Sequence, residues 1–231
     1  MAEKTRRGQI RTSLSPSDSV VVAGLGRFGS ALAIELAQAG VDVLGIDTDP
    51  EIVQSLSGVL THVARADSTK REVLEQLAVP DFTHAVVGIG SDLEASILTA
   101  SWFVRFDIPK VWAKAITDPH GQILDQIGVH HVVYPESDMG RRVAHLLRGS
   151  IADYQDIGGG FAMVTATVPP SLVGKSLGTL GLRSKHNLNV TAVRKRDAGW
   201  AHADGDTVLD WGDTVIVVGP AEKAERFIDM A

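Results

Sequence analysis

Three sets of residues in this chain have types and spacings suited to chemistry. Gly24-Leu25-Gly26-Arg27-Phe28-Gly29 has the spacing G-x-G-x-x-G, and it lies between the apolar run Val20–Ala23 and a helical stretch from Ser30 to Ala39. In that setting Gly24 permits a tight turn, Gly26 lets a pyrophosphate approach the backbone, and Gly29 lets helix pack closely on strand, with Phe28 completing the loop. The phosphates would rest on unpaired N–H groups at the helix N-terminus. The second set is acidic. Asp47 ends the next apolar run, 18 residues beyond Gly29. A carboxylate there accepts hydrogen bonds from an adenosine ribose and repels a 2′-phosphate, which disfavours NADP. The plainer reading of Asp47 is a second capping or solvated acid. Asp67 follows the third apolar run, where it either faces the adenine end of such a ligand or caps a helix. The third set is Arg27 alone: a cation inside the glycine loop suits a terminal phosphate, and otherwise is a solvated arginine.

Other chemistries are not indicated. The eight histidines include no H-x-x-x-H pair, and no G-x-x-x-x-G-K-[ST] loop occurs. The chain has no cysteine, which excludes a disulfide scaffold, a thiolate zinc site and a cysteine nucleophile.

The elements that must hold these residues follow a clear rhythm. Short apolar runs at Val20–Ala23, Val41–Ile46, Leu60–Ala64, His84–Ile89, Lys110–Ala115 and His131–Tyr134 alternate with helical stretches. Buried parallel strands look like this because helices cover both faces of their sheet. Asp49-Pro50 and Asp118-Pro119 each place a capping carboxylate before a proline, and Thr69 and Glu72 have capping-box spacing. Ser137 is placed to cap a helix that ends at Gly149. The expectation is an α/β, Rossmann-like doubly wound parallel sheet over residues 18–149, after a flexible tail at 1–17. Near Ser150 the rhythm breaks, and 150–231 reads as a small α+β domain. It has a glycine turn at 158–160, an alternating strand Phe161–Val168 and a short helix around Ser176–Leu182. A strand Leu188–Arg194 and a turn at Asp197-Ala198-Gly199 come next. Two acidic-glycine turns then lead to the strand Thr214–Val218 and a last helix, Ala221–Met230.

With 231 residues, 44% hydrophobic and 22% charged, the chain can bury a core without staples. Its net charge of −6 argues against an obligate nucleic-acid binder. No apolar run approaches the ~18 residues of a membrane span, and no secretory signal is legible, so the expectation is a cytoplasmic protein.

Several segments resemble the regulator-of-conductance-of-potassium (RCK) family. They are GLGRFG at 24–29, GIDTDP at 45–50, ARADSTKREVLEQLAV at 64–79, IGSDLEASILTA at 89–100 and KAITDPHGQILDQIGVHHVVYPESDMGRRVA at 114–144. The stretch Pro135-Glu136-Ser137-Asp138-Met139-Gly140 is characteristic of the regulatory subunits of Ktr/Trk-type potassium uptake systems. LVGKSLGTLGLR at 172–183 and DWGDTVIVVG at 210–219 are similar to that family's C-terminal domain. The resemblance implies a subunit without catalytic activity that binds ATP, ADP or NAD(H). It would dimerise, assemble into a ring, usually octameric, and gate a separate potassium-translocating membrane subunit from the cytoplasmic face. It also implies that Arg27 reaches a γ-phosphate, generally from the neighbouring subunit. Glu136 would help hold a divalent cation, Mg²⁺ or Ca²⁺. In some relatives the C-terminal domain binds cyclic di-AMP, but only the region near Arg183 matches here, and loosely. From the residues alone an NAD-dependent oxidoreductase, or a free-standing NAD-binding redox sensor, shares the glycine fingerprint. The helix Leu93–Phe106 carries apolar residues on more than one face, which suggests an oligomer interface.

Overall fold

The computed structural model describes residues 18–147, 151–196 and 198–229. The tail reading for 1–17, and the readings that fall on Gly149, Asp197 and Met230, lie outside these residues. The chain divides between Glu136 and Ser137 into two compact units.

The first unit alternates strands β1 (Ser19–Ala23), β2 (Asp42–Asp47), β3 (His62–Arg65), β4 (His84–Val87), β5 (Lys110–Lys114) and β6 (His131–Val133) with helices. The helices are α1 (Arg27–Gln38), α2 (Pro50–Leu56), α3 (Arg71–Gln76), α4 (Leu93–Arg105) and α5 (Asp118–Gln126). The sheet is parallel, in the order β3-β2-β1-β4-β5-β6. This is the doubly wound order, reversing direction between β1 and β4, and ligands bind such sheets at that reversal. The uninterrupted apolar runs follow from two-sided burial. Val21 and Ala23 of β1 enter one core with Ala85, Val87 and Phe103, while Val20 and Val22 enter another with Val43 and Ala33. Each strand therefore needs apolar residues at consecutive positions.

Helix starts agree with the sequence only in part. Asp49 caps α2 by accepting the Glu51 N–H at 2.8 Å, as expected. At α5 the cap is Thr117, which accepts from His120 N, so Asp118 lies inside the first turn. The Thr69/Glu72 capping box does not form: Lys70 is the N-cap of α3 without a side-chain bond, and Thr69 turns back to Asp67. Ser137 caps nothing either, because helix α6 (Pro135–Leu147) has already begun. In α4 the apolar surplus is largely absorbed at home. Phe103 is fully buried, and Trp102 and Phe106 pack on the same core, leaving Leu93 and Leu98 exposed.

The second unit carries an antiparallel sheet of β7 (Ile151–Gly158), β8 (Phe161–Thr167), β9 (Asn189–Arg194), β10 (Trp200–His202) and β11 (Thr214–Pro220), ordered β10-β9-β11-β8-β7. Helices α7 (Leu177–Leu180), α8 (Leu182–His186) and α9 (Ala221–Glu225) accompany it. β7, α8 and β10 are additions to the sequence expectation, and the glycine turn at 158–160 is the hairpin joining β7 to β8. Alternate residues Ala162, Val164 and Ala166 of β8 meet Val215 and Val217 of β11 in the core. At the turn before β11, Lys195 Nζ donates to Asp210 and to buried Asp213 at 2.7 and 2.8 Å, tying the turn to the end of β9.

Candidate functional site

In the first unit a cavity of about 1070 Å³ opens at the β1/β4 reversal. Its lining includes Gly24, Gly26, Arg27, Phe28, Asp47, Asp67 and Glu136, so residues spread over more than a hundred positions of sequence meet in one place.

The three glycines of the loop differ in their surroundings. Gly24 has φ +87, and a β-carbon there would stand 2.8 Å from Ile89 N. Gly29 is buried and does not line the cavity; a β-carbon on it would collide with the Gly24 carbonyl oxygen. Gly26 is open, with nothing within 4 Å of where its β-carbon would stand. Gly26 is the N-cap of α1, and no side chain caps that helix. The N–H groups of Gly26, Arg27 and Phe28 have no hydrogen-bond partner among the described residues, so they remain available to an anion at the positive end of the helix.

Asp47 is half-buried and holds two backbone groups: Oδ2 accepts the Leu25 N–H at 2.7 Å and Oδ1 the Asp49 N–H at 2.9 Å. The ribose and capping readings are therefore compatible, since each carboxylate oxygen keeps a second lone pair. Asp67 Oδ1 accepts both the Thr69 N–H, at 2.9 Å, and the Thr69 hydroxyl, at 2.6 Å. The Thr69 hydroxyl bond is the chief reason the Asp67 carboxyl titrates below its ordinary range. Trp102 Nε1 donates to Thr69 O at 3.0 Å, bracing that turn against α4. Arg27 is exposed and its guanidinium makes no hydrogen bond among the described residues. It is an unspent cation at the cavity mouth.

Sequence reasoning missed Lys114. It ends β5, is only 9% exposed, lines the cavity, and donates to Glu136 Oε1 at 2.5 Å. That bond, ahead of the charge of Arg27, holds the Glu136 carboxyl below its usual range. Lys114 thus gives Glu136 a counter-charge within the protein itself. The signal was present, because a lysine between the apolar residues Ala113 and Ala115 of a buried strand needs a partner. Gly88 and Gly90 were missed as well. A β-carbon at Gly88 would come within 2.6 Å of Gly24 O, and one at Gly90 within 3.0 Å of Lys114 Nζ. Both let the β4 turn approach the glycine loop and the ammonium. Among the described residues no three histidine or acidic side chains cluster as a metal site. Glu136 can thus supply at most one ligand of a cation completed by other groups.

The second unit has a smaller cavity of about 460 Å³, lined in part by Leu177, Arg183, Asn189 and Asp204. Arg183 donates to Asn189 Oδ1 at 2.7 Å there. No helix among the described residues is long and apolar enough to cross a membrane.

Comparison with known proteins gives matches along most of the chain. Residues 20–135 match the TrkA-N domain and 161–231 the TrkA-C domain. The chain is 34% identical over 203 residues to Ktr system potassium uptake protein A of Vibrio alginolyticus, covering 87% of this chain and 92% of that protein. It is 31% identical over 207 residues to Ktr system potassium uptake protein C of Bacillus subtilis, covering 89% and 94%. Among solved structures, the GsuK channel bound to NAD superposes with a TM-score of 0.53 at 21% identity, over 94% of this chain and 39% of that one. The TrkA-N domain of the inner membrane protein ybaL from Escherichia coli gives 0.51 at 21% identity, over 56% and 96%. These structural likenesses are likenesses of fold.

Proposed function

The chain belongs to the Ktr/Trk potassium-uptake family, a TrkA-N domain followed by a TrkA-C domain, and on that premise we propose that it is a nucleotide-binding regulatory subunit that gates a potassium transporter. The pore would belong to a separate membrane subunit, and this chain would work at the cytoplasmic face without catalytic activity of its own. The functional domains in this reading are 18–149 and 150–231.

One observation carries the ligand assignment: the β1/β4 cavity gathers the glycine loop, the free helix N-terminus, Asp47, Asp67 and Arg27. This donor set fits an adenine nucleotide, ATP, ADP or NAD(H). N–H groups of residues 26–28 would hold the phosphates that all these ligands share. Asp47 and Asp67 would take ribose and the adenine end. Arg27 would compensate a terminal phosphate, and its guanidinium fork suits phosphate oxygens. Glu136 would offer one oxygen to Mg²⁺ or Ca²⁺, both of which prefer oxygen ligands. When bound, the nucleotide supplies charge whose amount differs between ATP and ADP. Gating then follows from whichever conformation each ligand favours. The ring, a set of dimers up to an octamer, is part of the proposal, as is a cyclic di-AMP site near Arg183.

Mass spectrometry of the nucleotide released from purified protein by heat tests the ligand. Retention of a nicotinamide or adenine nucleotide is the expected result. No retained nucleotide, together with no calorimetric binding of ATP, ADP or NAD, overturns the reading. Light scattering should return particles larger than a dimer; a monomer with and without nucleotide removes the ring.

A further inference from the structure

We propose that the Lys114–Glu136 ion pair is an internal placeholder for the nucleotide phosphates: Glu136 satisfies the buried ammonium until an incoming phosphate chain takes that ammonium over. Lys114 thereby becomes a residue that selects ligands by charge. The inference rests on the nucleotide reading of the same cavity.

The asymmetry of the pair is the ground for it. The Lys114 side chain is 11% exposed and the Glu136 side chain 60%. A buried ammonium without an anion is costly, whereas a carboxylate already largely in water leaves its partner at little cost. The pair can therefore exchange its anion while keeping its cation in place. Position points the same way. The ammonium lies close against Gly90, where a β-carbon would stand 3.0 Å from Lys114 Nζ, and the neighbouring Ile89 abuts Gly24 at the start of the glycine loop. The ammonium thus stands on the turn that flanks the loop. Arg27 is close enough to act on Glu136 electrostatically, so the released carboxylate remains beside a second cation. Two consequences follow. Ligands with a longer, more highly charged phosphate chain gain more from Lys114 than adenosine does. Glu136 becomes available to a divalent cation only after Lys114 has been taken over.

Calorimetry in chelator, with ATP and adenosine as probes, tests this on the wild type, Lys114→Met and Glu136→Gln. Removing the placeholder should make Glu136→Gln bind ATP more tightly, by up to roughly tenfold, with adenosine unchanged. Lys114→Met should lose roughly 10- to 100-fold in ATP affinity, again sparing adenosine. Glu136→Gln binding ATP no better than the wild type overturns the placeholder, and so does an equal loss of ATP and adenosine in Lys114→Met. Thermal unfolding confirms that each variant is folded; should Lys114→Met fail to fold, Glu136→Gln decides alone. A wild type that binds none of ATP, ADP and NAD removes the nucleotide reading and the placeholder together. A wild type that binds, with the variants behaving in the contrary way, removes only the placeholder.

Discussion

Asp47 Oδ2 accepts the Leu25 N–H at 2.7 Å across 22 residues of sequence, so the acid that ends β2 also fixes the glycine loop that follows β1. Substitution at Asp47 should therefore act twice. Asp47→Ala is expected to lower the melting temperature of the ligand-free protein and to weaken ATP, ADP and NAD alike. A hydrogen bond to a charged group is worth about 1.5–3 kcal/mol, which sets the scale of each loss. Scanning calorimetry without ligand and titration calorimetry with it separate the two effects. Binding equal to wild type by Asp47→Ala would remove the ribose assignment.

Arg27 offers the contrasting case, since its exposed guanidinium makes no hydrogen bond among the described residues. Arg27→Ala should leave thermal stability unchanged, weaken ATP by about 1.5–3 kcal/mol and spare ADP and NAD. Equal losses of ATP and ADP, read by calorimetry, would mark a general phosphate contact and leave the γ-phosphate role without support.

Two glycines of one motif should fail in different ways. A methyl group at Gly29 meets the Gly24 carbonyl, so Gly29→Ala is expected to destabilise the fold by about 1–3 kcal/mol, the usual cost of overpacking. Gly26 has φ −63 and open space around its β-carbon position, so Gly26→Ala should fold normally. Gly26 lines the cavity, so an added methyl group there narrows the approach of a phosphate, and nucleotide affinity should fall. Urea unfolding and calorimetry on the pair check both halves. A stable Gly29→Ala protein would contradict the packing argument.

His120 gives a pH dependence with a definite sign. It is 2% exposed, its Nε2 has no hydrogen-bond partner among the described residues, and burial pushes its pKa below the ordinary 6.5. The unfolded chain then binds a proton more readily than the folded one. The stability this contributes is present above 6.5 and is lost as pH falls from there toward the lowered folded value. His84 is shifted the same way, also chiefly by burial, and adds to the slope. His120→Asn keeps an acceptor in the place of Nδ1 but does not titrate. Its unfolding free energy should fall less steeply than the wild type's over that window; identical slopes would show that His120 binds its proton equally well in the folded and unfolded states.

What the sequence determined by itself is what depends on neighbours in the chain or on a repeated pattern. The six parallel strands were legible because two-sided burial writes consecutive apolar residues, and the α2 start was legible because Asp49 caps a helix two residues away. The glycine fingerprint located the tight turn between β1 and α1 for the same local reason. Tertiary structure decided the rest. Thr117 rather than Asp118 caps α5, since both can accept the bond and only the path of the entering chain selects one. β7 went unread because Ile151–Gly158 is a sheet edge with acidic residues at Asp153 and Asp156, which carries little apolar signal. At the site, Asp47 and Asp67 could be nominated from their places at strand ends, but their bonds to Leu25 and Thr69 could not. The Lys114–Glu136 pair lies furthest beyond the sequence. Its members are 22 positions apart on β5 and at the start of α6, and only the parallel register of β5 beside β6 brings them together. An electrostatic contact depends on distance in space, and a doubly wound sheet sets that distance through its crossovers rather than through spacing along the chain.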